Sequence, residues 1–75
     1  MRLADNLRRL RVAQYLSQSD LAAKSGISKP TIARIERGNY VPYPRTVRAL
    51  AHALGVEPSD LVPAEELARR GEAAA

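Results

Sequence analysis

The sequence predicts an all-α domain made of short amphipathic helices. Apolar residues recur at three- and four-residue spacing in separate stretches, with Leu3, Leu7 and Leu10 near the start and Val47, Leu50, Ala51 and Leu54 further on. Helix punctuation falls between these stretches, with Gly26, Gly38 and Gly55 as stops and Pro30 and Pro44 as starts. The 75 residues suffice for one compact core. That size is marginal unless the helices pack well or the chain oligomerises.

The first helix is expected over residues 3–15, its apolar stripe of Leu3, Leu7 and Leu10 flanked by Ala4 and Val12, with Arg8, Arg9 and Arg11 off the stripe. Ser17 is a candidate N-cap for a second helix over 18–24. Asp20 lies three residues on, where a capping box usually has Glu or Gln, so the box is expected to be imperfect. Leu21 and Ala22 face inward, and Gly26 ends the helix in the left-handed conformation. Ser28 caps a third helix over 29–37, where Pro30 in the first turn costs no usable N–H. Ile27, Ile32 and Ile35 point to the core, while Lys29, Pro30, Ala33, Arg34 and Arg37 remain outward. A loop with Tyr40, Pro42 and Tyr43 leads to a fourth helix over 44–54, and Pro58–Leu61 suggests a brief fifth turn or helix. Residues 1–62 are thus expected to form one domain, and 63–75 a short C-terminal helix or a flexible tail with Leu67 as its main apolar anchor.

Composition narrows the function. There is no cysteine and one histidine, His52, so no thiolate metal site, disulfide or thiol chemistry is available, and neither metal nor cofactor is expected. Asp5, Asp20 and Glu36 are scattered, no Ser/His/Asp set or phosphate-cradling glycine loop exists, and an enzyme is not expected. No apolar run reaches membrane-spanning length and the N-terminus lacks a signal-peptide pattern, which points to the cytoplasm, on the nucleoid. Residues 1–56 carry ten Arg and Lys against three acids, and residues 57–75 carry two against five. The basic part fits a polyanion footprint, although many small domains are equally basic.

Two short helices joined by a glycine-containing turn form a helix-turn-helix candidate. Such a unit needs its second helix exposed, with core side chains confined to one stripe. The stretch 29–37 has that pattern. Lys29 and Arg34 can donate to guanine O6 and N7, and Pro30 and Ala33 can touch a thymine methyl.

Residues 7–61 resemble the phage repressor and Cro type of helix-turn-helix domain, the XRE family, most strongly in LSQSDLAAKSGIS, TIARIERG and LAHALGV. The resemblance implies a compact five-helix, lambda-repressor-like fold that binds double-stranded DNA, commonly as a homodimer on a palindromic operator, and acts as a transcriptional regulator, more often a repressor. Lys29, Pro30, Ala33 and Arg34 fall at base-reading positions. Gln18, Ser28, Thr31, Arg37, Asn39, Tyr40, Tyr43, Arg45 and Thr46 fall where phosphates are contacted. Arg11 and Glu36 match a structural ion pair. Pro30 departs from the usual polar residue and shifts reading onto Lys29 and Arg34, with guanine preference expected there.

Plainer roles stand beside these. Arg8, Arg9, Arg69 and Arg70 fit solvated surface, Thr31 a local cap, and Tyr40 and Tyr43 loop packing. The alternative function is a protein-interaction module or antitoxin-type adaptor with a protein partner. The Met1 start and alanine-rich end lead to the expectation of a stand-alone product, with the DNA-binding part of a longer protein as the alternative.

Overall fold

The structure is a computed structural model that describes residues 2–38 and 40–63, with Arg2 described by its backbone alone. Among the described residues four α-helices follow one another: α1 (Arg2–Ala13), α2 (Gln18–Ser25), α3 (Lys29–Glu36) and α4 (Pro44–Leu54). The expected fifth helix is a single 3-10 turn, Pro58–Asp60. Its capping box forms within three residues, because Glu57 N–H donates to Asp60 and Pro58 opens the turn. Leu61 and Val62 then turn into the core. Of the short helix or tail expected over 63–75, residues 64–75 lie outside the described residues, as does the loop residue Asn39.

Helix boundaries follow from local chemistry. The Ser17 hydroxyl accepts from Asp20 N–H at 2.9 Å, and the Asp20 carboxylate accepts from Ser17 N–H at 2.9 Å. The box at the start of α2 is therefore complete despite its aspartate, whose shorter side chain still spans the turn. These bonds from Ser17 lower the Asp20 pKa from its ordinary value. Ser28 caps α3, with its hydroxyl accepting from Thr31 N–H. Gly26, at φ +77°, takes the left-handed turn between α2 and α3, and its N–H returns to the Ala22 carbonyl.

The first helix ends earlier than expected. Leu16 N–H bonds to the Arg11 carbonyl and Tyr15 N–H to that of Val12, which closes a Schellman motif. Tyr15 occupies its left-handed position at φ +59°, where glycine is usual. Val12 does not join the core stripe: it is 55% exposed. With about 100° between successive helical residues, Val12 falls well off the line through Leu3, Leu7 and Leu10.

One core joins all the elements. Leu3 and Leu7 of α1, Leu21 of α2, Ile32 and Ile35 of α3, and Val47, Leu50 and Leu54 of α4 are buried together with Leu61 and Val62. Leu10, Ala22 and Ile27 pack against this core only partly buried. Side chains tie the periphery to it: Gln14 donates to the Leu54 carbonyl at 2.7 Å and Asn6 to the Leu61 carbonyl at 2.9 Å. Both satisfy carbonyls left open at the end of a helix or turn.

Candidate nucleic-acid interface

The geometry of α3 follows from its eight residues, KPTIARIE. At about 100° per residue, Ile32, Ile35 and Glu36 fall on one face, and Pro30, Arg34 and the capping Arg37 on the opposite one. Burial agrees with this division: Ile32, Ile35 and Glu36 are buried, whereas Lys29, Pro30, Arg34 and Arg37 are exposed. Thr31 and Ala33 lie on the flanks and are half-buried. The Thr31 hydroxyl is within 2.8 Å of the Ser28 hydroxyl, so both serve the cap. Ser28 itself is exposed at the helix start, where free amides and the positive dipole end favour an anion.

Glu36 fixes this helix to the rest of the molecule. Its residue is 6% exposed. Arg11 of α1 donates to both carboxylate oxygens, from Nε at 2.7 Å and from Nη2 at 2.9 Å. Gln18 of α2 adds a third bond at 3.1 Å, and Arg8 lies 3.6 Å away. A third Arg11 bond, from Nη1 to the Leu16 carbonyl at 2.8 Å, aims the guanidinium. Burial pushes the Glu36 pKa up, but the bonds from Arg11 and Gln18 and the charges of Arg11 and Arg8 outweigh it, and the net shift is downward. The hydrogen bond to Glu36 raises the Arg11 pKa. The carboxylate therefore stays ionised, and three helices meet on one side chain.

The remaining residues singled out in the sequence lie around the loop and the start of α4. Tyr40 and Tyr43 are half-buried, Arg45 is exposed and Thr46 is half-buried in the first turn of α4. Sequence reasoning missed two contacts here. The Arg34 guanidinium lies over the Tyr40 ring, 5.4 Å from its centre, and that of Arg45 over the Tyr43 ring at 5.0 Å. The second had a signal in the sequence, an arginine two residues after a tyrosine. The first depends on how the turn at Gly38 brings the loop back over α3. Gln18 is turned to Glu36 by one amide N–H, which leaves its carbonyl oxygen and second N–H for other partners.

Among the described residues no group of His, Cys, Asp or Glu is placed to hold a metal ion. His52 is exposed on α4. None of the helices is long and apolar enough, among those residues, to cross a membrane.

Comparison with known proteins agrees with this architecture. A family profile described as a helix-turn-helix domain matches residues 2–64. The immunity repressor protein of Bacillus phage phi105 is 34% identical over 73 residues, which is 97% of this chain and 51% of the phage protein. An uncharacterized HTH-type transcriptional regulator of Sinorhizobium fredii is 38% identical over 65 residues, covering 85% of this chain and 84% of that protein. The HTH-type transcriptional repressor RghR of Bacillus subtilis is 43% identical over 53 residues, 69% of this chain and 39% of its own length. The chain thus spans about half of the phage repressor and less of RghR. With its profile match across nearly all of the described residues, the chain belongs to the helix-turn-helix domain family of transcriptional regulators, a binding rather than a catalytic class.

Proposed function

We propose that this domain is a sequence-specific double-stranded DNA-binding module of the phage repressor and Cro type, with a lambda-repressor-like arrangement in which the 3-10 turn takes the place of the fifth helix. It regulates transcription, as a repressor that occludes a promoter. The observation that carries the reading is the two-faced α3: Pro30, Arg34 and Arg37 are exposed opposite Ile32, Ile35 and Glu36, with Lys29 exposed at the helix start. A helix anchored by one stripe and basic on the other suits the major groove.

In this reading Lys29 and Arg34 donate to base edges, while Pro30 and the half-buried Ala33 offer apolar contact. Gln18, Ser28, Thr31, Arg37, Asn39, Tyr40, Tyr43, Arg45 and Thr46 line the phosphate track. Residues 1–62 are the binding unit, with 63–75 as an appended short helix or tail. Two copies on a palindromic operator double the base contacts, and the protein works in the cytoplasm on the nucleoid.

Selection of bound duplexes from a random DNA pool tests this. An enriched inverted repeat with half-sites about one helical turn, roughly 34 Å, apart is the expected result. A single enriched half-site would remove the dimer. No enrichment at low salt would move the function to a protein-interaction module.

A further inference from the structure

We propose that Tyr40 is a positioning residue for sequence discrimination, its ring holding Arg34 in the orientation from which it reads a base. The inference rests on the reading of α3 as the base-contacting helix. Arg34 is exposed on the outward face of α3, and its guanidinium carbon lies over the Tyr40 ring, 5.4 Å from the ring centre. The ring is held in place: Tyr40 packs partly buried against the hydrophobic core, and Pro42, two residues further on, is fully buried.

An arginine side chain in water samples many rotamers, and binding must freeze them. A core-anchored ring attracts the cation to its face and narrows that set before DNA arrives. The attraction uses the charge of the guanidinium and leaves its N–H edge available, and it is that edge which donates to guanine O6 and N7. Tyr40 thus acts through Arg34 rather than by touching a base. The second pair supplies a contrast, since Arg45 lies 5.0 Å from the centre of the Tyr43 ring but belongs to the phosphate track. Loss of the Tyr43 ring lowers affinity for all sequences alike.

The duplex that the wild-type chain selects from a random pool is the probe. Competition titrations compare it with duplexes carrying a replacement at each base pair. The pair read by Arg34 is the one to which Arg34→Ala becomes indifferent. Tyr40→Phe keeps the ring and is expected to discriminate like wild type. Tyr40→Leu keeps an apolar group without a ring, and is expected to lose discrimination about two- to fivefold at that pair and at no other. In the Arg34→Ala background, Tyr40→Leu is expected to change discrimination at that pair no further.

Equal losses of discrimination in Tyr40→Phe and Tyr40→Leu would make the hydroxyl, not the ring face, the working group and overturn the proposal. A loss uniform over all sequences would also overturn it. Should Tyr40→Leu fail to fold, NMR of the wild-type chain without DNA decides. Ring currents from Tyr40 are expected to move Arg34 side-chain protons upfield of the values for an exposed arginine, and unshifted protons would refute the pairing. A wild-type chain that selects no duplex refutes the DNA reading, and this inference with it. A selected duplex with unchanged discrimination in Tyr40→Leu refutes the inference alone.

Discussion

Glu36 shows how one residue can set the position of a helix. Its carboxylate is buried and ionised, held by Arg11 from α1 and Gln18 from α2. Removing one member of such a pair leaves an uncompensated charge, so Glu36→Ala is expected to cost about 3 kcal/mol or more in urea unfolding at neutral pH. The pH dependence has a definite sign. The folded chain holds the Glu36 pKa below its ordinary value of 4.5. Stability from this group is therefore fully present above that value and is lost as pH falls through the folded pKa. Glu36→Gln should flatten the part of the acid limb that this group supplies, leaving the contribution of Asp20, whose pKa is shifted in the same direction. An unchanged acid limb would contradict this.

Tyr15 shows the opposite case, a residue that works against its own conformation. It holds φ +59° while 95% exposed, so it spends left-handed strain without burying its ring. Tyr15→Gly relieves the strain, partly offset by the greater freedom of glycine in the unfolded chain. A net gain of about 0.5–1 kcal/mol is expected, read as a rise of a few degrees in Tm.

At the scale of elements, the helices whose ends carry punctuation were legible and those closed by longer-range contacts were less so. α4 begins at Pro44 and ends before Gly55, both visible in the sequence. Gln18 and Lys29 follow Ser17 and Ser28 in the same way. The end of α1 was not legible, because Tyr15 gives no sign that it will accept a position suited to glycine. Val12 is apolar and near the stripe in sequence, but the helical angle turns it to solvent. The brief fifth turn or helix expected at 58–61 is a turn, because Pro58 and Pro63 bracket too few residues to close a second set of helical bonds. The completed box at α2 also has a measurable weight. Ser17→Ala removes the hydroxyl that accepts from Asp20 N–H and is expected to cost about 1 kcal/mol in chemical denaturation. A change below a few tenths would show that solvent replaces the cap.

At the scale of the molecule, the residues proposed to meet DNA were found in the sequence by type and spacing, but their arrangement was not. Lys29, Pro30, Arg34 and Arg37 announce themselves as exposed neighbours of an isoleucine stripe. The aromatic face under Arg34 depends on the path of the loop, which no local pattern encodes, whereas the one under Arg45 belongs to a tyrosine two residues before it in sequence. Among the described residues, the Glu36 ion pair and the core fix α3 in place and leave its outer face exposed. If the proposed DNA contacts use the basic excess of residues 1–56, binding is expected to weaken steeply as salt rises, since each neutralised phosphate releases counterions.

The central claim, that α3 enters the major groove and reads guanine through its cations, is tested most directly by methylation interference on the selected duplex. Methylation at guanine N7 blocks the major-groove edge, and methylation at adenine N3 blocks the minor-groove edge. Binding is expected to fail when particular guanines carry N7 methyl groups, and Arg34→Ala is expected to become indifferent to one of them. Interference confined to adenine N3 would place the protein in the minor groove and contradict the account.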